Sequence, residues 1–134
     1  MREIKFRGRN GAGKWFFGDY VTAHDTTYIR TQTQRDYVDR SVVRDTVGEY
    51  TGLKDKNGVE IYEGDIIQDS SGGHPYEIVD SFGSFSIRWK KCCKVCASGY
   101  GTHGTLHEYL VCRPEEDAGV EVIGNIYSNP ELLK

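Results

Sequence analysis

At 134 residues and 15.2 kDa the chain has room for one ordinary domain, or for one barrel with a β extension, and not for two large cores. A net charge of −3 and a pI near 5.8 exclude a strong overall electrostatic drive toward nucleic acid or an anionic membrane. Sixteen glycines and sixteen aromatic residues argue against disorder and favour short strands punctuated by turns.

Met1–Arg7 alternates charge with Ile4 and Phe6, which provides neither the apolar core of a signal peptide nor a membrane span, and a cytoplasmic location is expected. The alternation Ile4-Lys5-Phe6-Arg7 opens a strand, and Asn10-Gly11-Ala12-Gly13 supplies a hairpin turn. Trp15 to Val21 returns as a second strand and Thr27 to Thr31 forms a third. The polar stretch Thr33 to Asp39 reads as loop or a single helical turn. Residues 1–45 hold nine Lys/Arg against six Asp/Glu, a balance of +3, so this third is mildly basic.

Farther along, Asn57-Gly58 is the pair best suited to a type I′ hairpin turn. Gly64, between Glu63 and Asp65, permits a kink that feeds Ile66-Ile67 into a closed sheet. Strands follow at Tyr76 to Val79, Ser84 to Trp89 and Glu121 to Tyr127, and Phe82-Gly83 lies in a turn between the first two. At the end, Asn129 is placed to cap and Pro130 to begin a short helical turn through Leu132-Leu133.

Lys90 to Gly119 breaks the pattern and contains all four cysteines. Leu106 to Val111 is a candidate short element inside it. Crowding of Cys92, Cys93 and Cys96 suits free thiols in a reducing compartment better than separate bridges. Cys93-x-x-Cys96 also has zinc-knuckle spacing, with His103, His107 and Cys112 available to complete four ligands. A single such pair is a weaker signal than two, so no cofactor is expected, with zinc as the alternative. Cys92 or Cys96 among Lys90, Lys91 and Lys94 has electropositive neighbours but no orienting base for nucleophilic catalysis.

Two further motifs read as structural. Gly8 to Lys14 fits the G-x-x-x-x-G-K half of a phosphate-binding loop, but Trp15 replaces the hydroxyl residue, and a strand follows where a helix is required. Glu60, Glu63 and Asp65 bracket a tight bend, where Asp65 is expected to bond local N–H groups.

The run from Thr46-Val47-Gly48 through Glu63-Gly64-Asp65-Ile66-Ile67 resembles the hallmark of the YopX family of phage and prophage proteins. The opening Arg2 to Arg7, the block Gly18-Asp19-Tyr20-Val21 and the closing Val122 to Leu133 reinforce it in the family's order. The resemblance implies an all-β protein with a small SH3-like barrel in its C-terminal part, without established activity or catalytic residues. Together with the strand pattern this gives an N-terminal β region at 1–45 and a barrel at 46–134. The barrel contains a Cys/His-bearing insertion at 90–119, longer than the family's usual connection, and ends in the short helical turn.

Without a complete catalytic constellation, the expected function is a non-enzymatic, phage-type accessory protein acting through protein contacts, as a homo-oligomer. The alternative partner is nucleic acid, with Arg30, Arg35, Arg40 and Arg44 meeting phosphates while Tyr28 or Tyr37 stacks on a base. Strand-edge charges that block pairing are the plainer account of those arginines. No membrane partner is expected.

Overall fold

The computed structural model describes residues 3–69, 75–81, 84–89, 101–105 and 119–133. It is all-β, with eleven strands among the described residues: β1 Phe6–Arg9, β2 Trp15–Ala23, β3 Thr26–Gln32, β4 Tyr37–Ser41, β5 Gly48–Lys54, β6 Glu60–Tyr62, β7 Asp65–Asp69, β8 Tyr76–Ser81, β9 Ser84–Trp89, β10 Gly101–Thr105 and β11 Val120–Asn125. The chain divides into two compact units, Met1–Gly52 and Leu53–Lys134. No helix among the described residues is long and apolar enough to cross a membrane.

In the first unit the strands are ordered β4-β3-β2-β1-β5. The hairpin at Asn10 forms as expected from its sequence. Asn10 N–H donates to the Lys14 carbonyl at 2.9 Å, Gly13 N–H donates to the Asn10 carbonyl at 3.0 Å, and Gly13 takes φ +89°. The Asn10 side-chain oxygen accepts the N–H groups of Ala12 and Lys14. The phosphate-loop pattern is therefore consumed by a turn. Strand β2 then changes partners midway, pairing Trp15–Gly18 with β1 and Asp19–Ala23 with β3. Buried Ile29 and Val42 form the core of this sheet, and a Cβ on Gly8 would lie 2.8 Å from Val42 Cγ2, so only glycine lets β1 lie so close.

Two local expectations are corrected here. The stretch after Thr33 is neither loop throughout nor a helical turn: it tightens through a Thr33 N–H to Asp36 carbonyl bond and then runs as β4. Pairing with Arg30 across the ladder, invisible to local polarity, makes the difference. The type I′ geometry, moreover, belongs to His24-Asp25, the two-residue β2–β3 loop, where both residues have positive φ (49° and 62°).

In the second unit the strands run β10-β9-β8-β7-β11, all antiparallel. The described edges, β10 and β11, do not pair with each other, so the described strands form an open sheet in place of the closed barrel expected. Ile61, Ile67, Ile78, Ile87 and Val120 make the core, with Leu53, Tyr76, Phe85 and Val122 packed against it. Burial of such side chains stabilises by about 1.5–3 kcal/mol each. Ile66 and Ile67 point to opposite faces and are both fully buried, so β7, an interior strand between β8 and β11, is covered on both faces.

At Asn57-Gly58 the turn repeats the Asn10 loop bond for bond. Asp55 N–H donates to the Val59 carbonyl, Gly58 N–H donates to the Asp55 carbonyl, and Asp55 Oδ1 accepts from Asn57 and Val59. Only Gly58 has positive φ (80°), giving a type I turn closed by a left-handed glycine in place of type I′. The second oxygen differs in use: Asp55 Oδ2 accepts the Val122 N–H of β11 at 3.0 Å. Burial would raise the Asp55 pKa, but the three N–H donors outweigh it and hold the carboxyl below its ordinary value.

Nearby, Gly64 (φ +90°) donates its N–H to the Ile78 carbonyl and accepts Ile126 N–H, while buried Asp65 Oδ2 accepts Tyr62 N–H at 2.8 Å. The C-terminal turn, Pro130–Leu133, is present, though its ties differ from those expected of an Asn129 side-chain cap. Leu132 N–H bonds the Asn129 carbonyl, and the Asn125 side chain accepts Tyr127 and Ser128 N–H. A Cβ on Gly124 would come within 2.5 Å of Asn129 Oδ1, so the Asn129 side chain rests on β11 itself.

Asp55→Asn keeps Oδ1 but turns an amide donor toward the Val122 N–H; it is expected to cost about 1–3 kcal/mol in chemical denaturation, whereas Asn10→Asp, with no such neighbour, stays within about 0.5 kcal/mol of the parent. Because the folded-state pKa of Asp55 is depressed, its contribution is complete above the ordinary aspartate range and is lost as pH falls through the folded value; D55N should flatten that acid limb of the stability curve.

Candidate binding edge of the N-terminal sheet

Strand alternation places Tyr28, Arg30 and Gln32 of β3 and Tyr37, Asp39 and Ser41 of β4 on one face, with Ile29, Val38, Arg40 and Val42 on the other. Arg30 stands opposite Asp39, and the guanidinium grips the carboxylate with both arms, Nε to Oδ1 at 2.8 Å and Nη2 to Oδ2 at 3.0 Å. Its plane also lies over the Tyr37 ring, 3.9 Å from the ring centre. These hydrogen bonds hold the Asp39 carboxyl below its ordinary value and raise the Arg30 pKa further.

The remaining arginines do not join this one. Arg40 points to the opposite face, 4.9 Å from the centre of the Phe16 ring, which also carries the Lys14 ammonium at 5.6 Å. Arg35 is exposed in the β3–β4 turn. Arg44 begins the 3-10 turn Arg44–Thr46 and lines a shallow, polar depression with Thr22, His24, Asp25 and Thr27. The four candidate phosphate-contacting arginines thus occupy two sheet faces, a turn and a depression, while Tyr37 is stacked with Arg30 and Tyr28 is half-buried.

Of the zinc candidates, Cys93, Cys96, His107 and Cys112 lie outside the described residues, as do Cys92, Lys90, Lys91 and Lys94 and the candidate element Leu106 to Val111; His103 falls on the backbone of β10. Among the bend carboxylates, Glu60 Oε2 accepts the Tyr62 hydroxyl at 2.8 Å while Asp65 serves the Tyr62 N–H, so one tyrosine engages two of the three.

Sequence reasoning missed the edge itself. β4 ends the strand order of its unit, and its residues are exposed apart from half-buried Arg40; Tyr37 is 49% and Val38 40% accessible. Thr33 N–H bonds the Asp36 carbonyl at one end and Val42 N–H bonds the Thr27 carbonyl at the other. Carried along an antiparallel ladder of period two, these bonds turn the N–H and C=O of Val38 and Arg40 toward β3, and those of Tyr37, Asp39 and Ser41 outward. Asp36 Oδ1 accepts the outward Tyr37 N–H at 2.8 Å. The Tyr-Val-Asp-Arg alternation was the available signal, masked by the polar residues on both sides of it.

Arg30→Lys retains the charge and loses the planar fork. It is expected to move the Asp39 carboxyl titration, followed by carbon NMR, upward toward the ordinary aspartate range; an unchanged titration would contradict the pairing described.

A crystal structure of protein EF1440 from Enterococcus faecalis is similar to this chain, with a TM-score of 0.57 and 22% identity over 100% of both chains, a likeness of fold. No curated protein matches the chain. The model of the family described as YopX protein matches residues 5–134, nearly the full length, and the chain belongs to the YopX family.

Proposed function

We propose that this chain is a non-enzymatic, cytoplasmic accessory protein of a phage or prophage, a binding module that engages a protein partner through the outer edge of β4. The observation that carries this reading is the set of outward backbone groups at Tyr37, Asp39 and Ser41, flanked by exposed Tyr37 and Val38 side chains. Such an edge accepts an added strand, whose main-chain bonds supply affinity and whose alternate side chains supply specificity. Charges normally guard an exposed edge. Here Asp39 is neutralised from within by Arg30, and Arg40 lies over Phe16, so both guards are turned inward.

In the same reading the second unit is the scaffold, an SH3-like arrangement supported by its order: a four-strand meander, β7 to β10, with β11 returning beside β7.

Ser41→Pro removes an outward N–H without touching the β3 ladder, a substitution that edge strands accept. With the full chain as bait in lysogenic cells, a partner identified by mass spectrometry with the parent should be lost from S41P at unchanged thermal stability. Equal recovery by both proteins would refute use of this edge.

A further inference from the structure

We propose that the strand added to β4 is β4 of a second copy of this chain, antiparallel, about a two-fold axis passing through Val38. This rests on the edge reading above and names its partner.

The register follows from geometry and charge. Outward groups must meet outward groups, so Tyr37, Asp39 and Ser41 pair only among themselves, which confines the axis to a residue position. An axis through Asp39 gives the longest overlap but sets Asp39 against Asp39 of the second copy. Moving the axis to Arg40 sets two arginines opposite each other. Like charges directly opposite are destabilising, and a two-fold interface contains every pair in both directions.

Of these three axes, the one through Val38 alone is complementary throughout. It sets the 40% exposed Val38 against itself and Arg40 against Asp36 of the second copy. Tyr37 then stands opposite Asp39 of the second copy, beside the Arg30 that already grips that carboxylate and stacks on a tyrosine. Asp36 has a double part. In the single chain its carboxylate occupies the outward Tyr37 N–H. On pairing it turns to Arg40 of the second copy and releases that N–H to the Asp39 carbonyl opposite.

The test uses the full-length protein in sedimentation velocity over a wide concentration range, with thermal melts to establish folding. The parent is expected to dimerise. Arg40→Asp and Asp36→Arg should each weaken the dimer about tenfold or more, because the symmetry applies each change twice, and the double exchange should restore it. As a second measurement that does not depend on the Asp36 turn, Val38→Cys should cross-link into a covalent dimer on oxidation, beyond any parent background, since a facing non-hydrogen-bonded pair has the Cα separation a disulfide needs. Arg40→Cys should not. A parent that stays monomeric, a double exchange as weak as the singles, or cross-linking favoured at R40C would overturn the proposal. A monomeric parent whose partner is still lost in S41P would overturn self-pairing while leaving the edge reading intact.

Discussion

Three backbone N–H groups converge on the carboxylate of Asp55, and much of the second unit is arranged around that convergence. Two of the donors close its own hairpin loop and the third belongs to Val122, 67 residues away. Next to it, Lys56 N–H reaches the Val120 carbonyl. Gly64 repeats the device from the other end of the strand, accepting Ile126 N–H while donating to Ile78. Two consecutive turns thus hold both ends of β11. This explains in physical terms why the stretch that marks the family is rich in Asp, Asn and Gly. Its polar atoms are occupied in fixing a strand.

The comparison with Asn10 sharpens the point. Both loops have the same five-residue hydrogen-bond pattern, and asparagine suffices where the side chain serves only its own turn. Aspartate stands where a second acceptor is needed for a distant N–H. Side-chain chemistry, not turn propensity, distinguishes a local loop from a tertiary clasp.

Much of the strand arrangement was legible from alternation and glycine placement: the Asn10 hairpin, the bend at Gly64 and the strands around Ile67, Ile78 and Ile87 follow from rules of period two and positive φ. What escaped was decided by partners distant in sequence. Asn57-Gly58 gave up type I′ geometry because the Asp55 side chain occupies the N–H groups of Asn57 and Val59. His24 and Asp25, without glycine, took that geometry because the tight β2–β3 register leaves only two residues for the reversal. β4 lies in a stretch whose local polarity suits a loop or a single helical turn, because the residue that neutralises its aspartate sits on the neighbouring strand. The candidate edge was therefore the least legible part, since an edge is defined by which strands are absent beside it, and no local pattern records that.

Because Asp55 and Gly64 precede β8, the seat for the final strand is specified by residues that come before the connection leading into it. Fourteen residues separate β10 from β11. Lengthening that connection would raise closure entropy by only about 0.6 kcal/mol for each doubling, so the seat that Asp55 and Gly64 hold for the last strand does not hang on its exact length.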